Sequence, residues 1–522
     1  MAHGPHEAGC LRVAPAGGRD RGADPRRLRA ALGSAGGRPG ILRAHAAPLA
    51  RRDDDRGAPV PRRLRRRGIL GGAAGARTRR RHRGDPLGAR LRARGADRAG
   101  ARGGRAVSSA ALSGVRVIEL AEVWAGPMGC TLLADLGADV VKLETFPRSS
   151  MTRPVVEDAR VGAGTGPPYE RVNVHHHANR NKRNIAVDVR AGAGAEVLRR
   201  LIAGADLVVE SFSAGTLERL GFGWESVHAI QPRASLISLA AWGQDGPYRG
   251  YRMFGSGLDA MVGHHLVRGH PGAPLEETAP AVHSDAAVPL TVVLAAVTAL
   301  ALRDRSGEGS WIDLAQVEDL AWQLPAILGE WTASGRSPPR VANGDRDLVP
   351  HDYYRAAGGE WICVAAEDDS QWAGLAEAMG RPELAQEPHP WASVAGRLRA
   401  RVDVDAAVGA FVAQLPPEEA AERIQRHGAV AAPVLGPAGP LQSPQLRARG
   451  WLRSTSHPHL GRREVGGFLW QMEPDAPAWE RSAALVGEHN AEVLSELGYS
   501  AAEIARLEAS GVIGDRYGAP ER

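Results

Sequence analysis

His283-Ser284-Asp285 stands at the head of a predominantly apolar run, Val288 to Leu302, which Arg303-Asp304-Arg305 closes. Read as a helix, the run places the Asp285 carboxylate among unpaired N–H groups at the positive end of the helix dipole, where an anion is favoured. Such a carboxylate is either a plain helix cap, the commoner use of Asp or Ser there, or a nucleophile. Ser284 would serve as the cap equally well. The run is 15 residues long, and a bilayer takes about 20. A buried helix of a soluble protein is therefore expected, with no membrane span.

A second group lies in "VHHHANRNKRN" (174–184). Three adjacent histidines cannot share one face of a regular element, and no second ligand cluster accompanies them, so no metal site is expected. Lys182 and Arg183 stand out because residues 107–522 contain only two lysines, Lys142 and Lys182. A cationic loop ahead of a strand suits phosphates; the plainer alternative is a solvated turn. Arg219, in "TLERLGF", has the same two readings. Cys10, Cys130 and Cys363 are widely spaced with no CxxC pair. That argues against a disulfide framework or a zinc site and fits a reducing compartment. No compact apolar leader is seen, so a cytoplasmic location is expected.

The elements that must position these residues follow from hydrophobic periodicity. "VRVIEL" (115–120), "ADVVKLE" (138–144), "DLVVESF" (206–212) and "ASLISLAAWG" (234–243) read as strands. Helical stretches, "CTLLADLG" and "AEVLRRLI", separate them, and Gly126-Pro127 reads as a break before the first helix. This alternation predicts an α/β protein with a doubly wound parallel sheet covered on both faces. Ligands of such sheets sit beyond the carboxyl ends of the strands. No GxGxxG or GxxxxGK[ST] opens a helix, so the common nucleotide sites are not indicated. The expected divisions are a large domain over 107–330, a small α/β domain over 331–440, and a segment over 441–522 that returns to the large domain. Residues 487–513 read as two short helices around Gly498.

Residues 1–106 differ from the rest. They hold 27 Arg, no Lys, 8 acidic residues and no aromatic ones, a net +19, whereas residues 107–522 are net −13. With few large apolar groups such a segment is expected to be disordered. It reads as translation from a misplaced start upstream of Val107, as an idle tail, or as a basic arm for nucleic acid, in that order of preference.

Taken together, "LSGVRVIELAEVWAGPMGCTLLADLGADVVKLE", "NRNKRNIAVDVR", "ADLVVESFSAGTLERLGFGWE", "GQDGPY", "RDRSGEGSWIDLAQVEDL" and "GEHNAEVLSELG" resemble the class III CoA-transferases. The resemblance implies a Rossmann-like large domain, a small domain, and two ring-shaped subunits interlocked as a homodimer. It implies that Asp285 is the nucleophile that carries CoA as an aspartyl thioester. It also implies CoA contacts at Val123, Ala125, Lys182, Ser211, Phe212, Arg219 and Leu220. The substrates would be an acyl-CoA and a carboxylic acid, with no permanently bound cofactor and no metal. Trp124 and Thr145 depart from the family pattern, and the nucleophile step reads Ser284-Asp285 where Gly-Asp is usual. The same family includes α-methylacyl-CoA racemases. Their catalytic Asp maps near Gly255, where this chain has no carboxylate, although Asp259 lies one turn onward with His264 and His265 beyond. An inactive CoA-binding paralogue is the reading outside enzymology, and nucleic-acid binding is not favoured.

Overall fold

The computed structural model describes residues 110–278, 282–473, 477 and 479–518. Residues 1–106, with their expected disorder and the nucleic-acid reading, lie outside the described residues.

Six parallel strands form the central sheet: β1 (Arg116–Glu119), β2 (Asp139–Thr145), β3 (Arg183–Val187), β4 (Leu207–Glu210), β5 (Ser235–Ser238) and β6 (Trp311–Asp313). Their order is β3-β2-β1-β4-β5-β6. Successive side chains on a strand face opposite sides, and both sides are buried. Ile118, Val141, Val208 and Leu236 enter one core with the Gly192–Ala203 helix. Val117, Val140, Val209 and Ile237 enter a second core on the other face. A sheet buried on both faces needs continuous apolar strands, which is why "VRVIEL" and "DLVVESF" read so plainly.

The second core is completed by two helices, Ala125–Asp135 and His283–Ser306. The first begins before its expected start: Gly126 and Pro127 lie inside its first turn. Proline costs nothing there, because its missing N–H is one of those left unpaired anyway. Gly126 is required by closeness, since a Cβ on it would lie 2.6 Å from Ala121 Cβ. The second helix has 24 residues, and an 18-residue stretch of it has a mean hydropathy of 2.0, so by length and composition it is long enough to cross a membrane. The 15-residue apolar run understated it, because the helix extends through both polar ends. Only one face is buried, through Val288, Val292, Ala296 and Ala299, while Leu290, Leu294 and Val297 face outward. The expectation of a buried helix is corrected to that extent.

Further along, β7 (His351–Arg355), β8 (Trp361–Ala365) and β9 (Val430–Pro433) form an antiparallel sheet with its own core around Trp372, Val404 and Ile424. A hairpin, β10 (Leu452–His457) with β11 (Gly461–Gly466), was not foreseen; its polar strands carry little periodic signal. The helices Asn490–Glu496 and Ala501–Ala509 flank Gly498, whose φ of 86° needs glycine. Val493, Leu494 and Leu507 pack in the same core as Ile118, and Asn490 Oδ1 accepts the Ala186 N–H of β3 at 3.0 Å.

Candidate active site

The site begins where β1 and β4 end, side by side at the centre of the sheet, where the strand order changes direction. This is the usual place for a ligand crevice. After Glu119 the chain makes a tight turn into the Ala125–Asp135 helix. Val123 holds a φ of 70°, a left-handed conformation that costs a β-branched residue on the order of 1–3 kcal/mol. The turn is tied down on several sides. Leu120 N–H donates to Val209 O at 2.7 Å, Glu122 N–H donates to Ser211 Oγ at 2.9 Å, and Lys142 Nζ donates to Ala121 O at 2.8 Å.

The turn aims the first N–H of the following helix at the nucleophile candidate. Asp285, in the first turn of the His283–Ser306 helix, turns its carboxylate toward the Ala125 N–H. Burial raises its pKa; the Ala125 N–H opposes the rise and the charge of Asp259 adds to it. Two helix starts thus meet at one carboxylate. Pro289, four residues on, lacks the N–H that would bond the Asp285 carbonyl within the helix. Gly255 allows the close packing here, since a Cβ on it would lie 2.8 Å from Asp285 Oδ2 and 2.7 Å from Ser284 Oγ. Ser284 is fully buried and provides no side-chain cap.

Val123, Ala125 and Ser211 are therefore brought together, with Phe212 following Ser211 and donating its N–H to Glu210 Oε2 at 2.7 Å. Arg219 is exposed at the end of the Thr216–Arg219 turn of helix, beside Leu220, and donates to Thr216 Oγ1 at 2.7 Å.

Lys182 differs from its expected role. Its side chain is buried, its ammonium lies 2.7 Å from Glu119 Oε2, and it donates to Pro127 O, Ala178 O and Asn179 Oδ1. An ammonium with four partners and no solvent face has nothing to offer a phosphate, so the expected phosphate contact through Nζ is corrected. The rest of the Asn-Arg-Asn-Lys motif is structural too. Arg180 pairs with Asp135 at 2.5 Å and Asn181 Nδ2 donates to the same carboxylate at 2.7 Å. The motif holds both ends of the Ala125–Asp135 helix. Composition had hidden the partner Glu119, a lone acidic residue in an apolar strand, which is itself the signal.

Two of the residues raised with the racemase reading are neighbours: Asp259 is fully buried, with His264 Nδ1 3.9 Å from its Oδ1. His283, passed over in the sequence, is closer at 3.3 Å.

A parallel sheet, a carboxylate where two helices begin, and a strained turn at the strand switch point together make an α/β ligand crevice with a buried acidic group beside it. The chain belongs to CoA-transferase family III, whose sequence profile matches residues 112–490, and it is a CoA-transferase. Among its relatives, the succinyl-CoA–D-citramalate CoA-transferase of Chloroflexus aurantiacus is 29% identical over 412 residues, covering 77% of this chain and 98% of the relative. The formyl-CoA:oxalate CoA-transferase of Streptomyces avermitilis is 30% identical over 426 residues, covering 77% and 99%. A crystal structure of a CaiB/BaiF family protein from Brucella suis matches with a TM-score of 0.67 at 28% identity, covering 74% and 99%.

Proposed function

We propose that Asp285 carries CoA covalently while the enzyme moves it from an acyl-CoA donor to a carboxylic acid acceptor. The Asp285 carboxylate attacks the thioester carbonyl, expelling CoA thiolate and forming a mixed anhydride. The thiolate then attacks the aspartyl carbonyl, releasing the donor acid and leaving an aspartyl-CoA thioester. The acceptor carboxylate attacks that thioester, and the thiolate returns to the acceptor's acyl carbonyl, regenerating Asp285. Nucleophilic catalysis divides one difficult exchange into easier steps. The observation that carries this reading is the placement of the Asp285 carboxylate in the first turn of its helix, facing the Ala125 N–H donor at the start of another. The same donor would stabilise the oxyanion that develops there.

CoA itself lies against Val123, Ala125, Ser211, Phe212 and Leu220, with the Arg219 guanidinium on the nucleotide phosphates. The enzyme works as a cytoplasmic homodimer. The outward apolar face of the long helix (Leu290, Leu294, Val297) and exposed Trp331 supply surface for a second subunit. Light scattering on the full chain tests this, and a monomer at working concentration overturns it.

Incubation with acyl-CoA followed by borohydride or hydroxylamine and peptide mass analysis is the test of mechanism. A modified peptide containing position 285, absent from Asp285→Ala, is expected. Full transfer activity in Asp285→Ala would sink the mechanism, and α-proton exchange without transfer would favour the racemase instead.

A further inference from the structure

Beside the Asp285 carboxylate, three side chains turn polar atoms toward one another without a hydrogen bond among the described residues. Asp259 is fully buried, yet its Oδ1 has no hydrogen-bond partner among the described residues. His283 Nδ1 lies 3.3 Å and His264 Nδ1 3.9 Å from that oxygen, and neither ring nitrogen makes a hydrogen bond. The two imidazoles meet edge to face with centroids 4.2 Å apart, and the three ligand atoms lie within 4.8 Å of one another. Among the described residues, the one hydrogen bond to this carboxylate, from the His283 backbone N–H to Oδ2, is long at 3.4 Å.

We infer that Asp259, His264 and His283 form a binding site for a divalent transition-metal ion of the zinc class. A buried carboxylate oxygen without a donor is costly to leave unpaired, and a cation removes that cost. Zinc–nitrogen and zinc–oxygen bonds of about 2.0–2.2 Å place ligand atoms roughly 3–3.5 Å apart. The 3.3 Å pair already meets this. The wider pair, His264 Nδ1 with Asp259 Oδ1 at 3.9 Å, closes by a small rotation of the partly exposed His264 ring. Two imidazoles and one carboxylate, with no thiolate among them, suit zinc, cobalt, iron(II), nickel or manganese. Three protein ligands leave a coordination position open. His283 precedes Asp285 by two residues on one helix, and the charge of Asp259 is felt at Asp285, so the ion would lie next to the acyl-transfer centre.

Cobalt(II) titration of the full chain after chelator treatment tests the inference independently of any transfer assay. One equivalent binding with visible d–d absorption, displaced by zinc, is expected. His264→Gln and His283→Gln, both at positions that tolerate a polar side chain, should each weaken binding more than about tenfold, since even an outer partner of a ligand is worth that much. His270→Gln, at an exposed position on the same segment, should change nothing. Absence of stoichiometric binding, or equal affinity in the His264 and His283 variants, overturns the site.

Discussion

Lys182 Nζ lies 2.7 Å from Glu119 Oε2, and the same ammonium donates to the Pro127 carbonyl at 2.8 Å. The residue spaced like a phosphate clamp is a strut beneath the helix that presents the Ala125 N–H. Burial pulls its pKa down to about 8 against the opposing pull of Glu119. Lys182→Met leaves Glu119 with Lys142 as its remaining ion-pair partner. Breaking a buried pair costs about 3 kcal/mol, so denaturant melts should show a loss of that order, with kcat falling as well. An unchanged melt with only a raised KM for acyl-CoA would restore the phosphate role.

Arg219 behaves in the opposite way. It is exposed, and its side chain is tied to Thr216 alone among the described hydrogen bonds. Arg219→Gln should leave stability within about 0.5 kcal/mol. It should raise KM for CoA thioesters roughly tenfold, the worth of one charge-assisted phosphate contact, with kcat little changed. Steady-state kinetics at two salt concentrations decide the matter: the difference from the parent should shrink at high salt.

Gly255 sits where a methyl group would press on the carboxylate proposed as nucleophile, 2.8 Å from Asp285 Oδ2. Displacing a catalytic atom by about 1 Å costs on the order of a hundredfold in rate. Gly255→Ala should therefore lower kcat by roughly that factor while circular dichroism and melting stay close to the parent's. Retained activity would mean the nucleophile works from another rotamer.

Glu210 closes β4 behind Ser211 and Phe212, and burial pushes its carboxyl up to about 7 despite the Phe212 N–H. Its ordinary value is 4.5. Between these values the folded chain keeps a proton that the unfolded chain has released. The stabilising contribution is therefore complete below about pH 4.5 and lost as pH rises through 7. At about 1.4 kcal/mol per pH unit of separation, the loss is on the order of 3 kcal/mol. Glu210→Gln should flatten the parent's decline in unfolding free energy between pH 5 and 7; equal slopes in the two proteins would contradict the burial argument.

Much of the sheet was legible because its strands are buried on both faces, leaving short apolar runs between turn residues, as at Val115–Leu120 and Leu207–Val209. The β10–β11 hairpin was not, since strands such as Gly461–Gly466 place few apolar side chains at regular spacing. The long helix was recognised but its boundaries were not. Pro127 misled at one helix start, where a residue that breaks helices elsewhere costs nothing.

The sequence by itself determined the α/β class, the family resemblance and the position of an acidic residue at a helix start, because periodicity and local motifs are properties of neighbouring residues. The tertiary structure decided what those residues touch. Chain segments 160 residues apart bring Ala125 and Asp285 together, β1 buries Glu119 against Lys182, and Asp259 meets His283 across 24 positions. Charge and spacing cannot distinguish a solvated cation from a buried strut. That difference is made by desolvation, which exists only once the chain has folded around it.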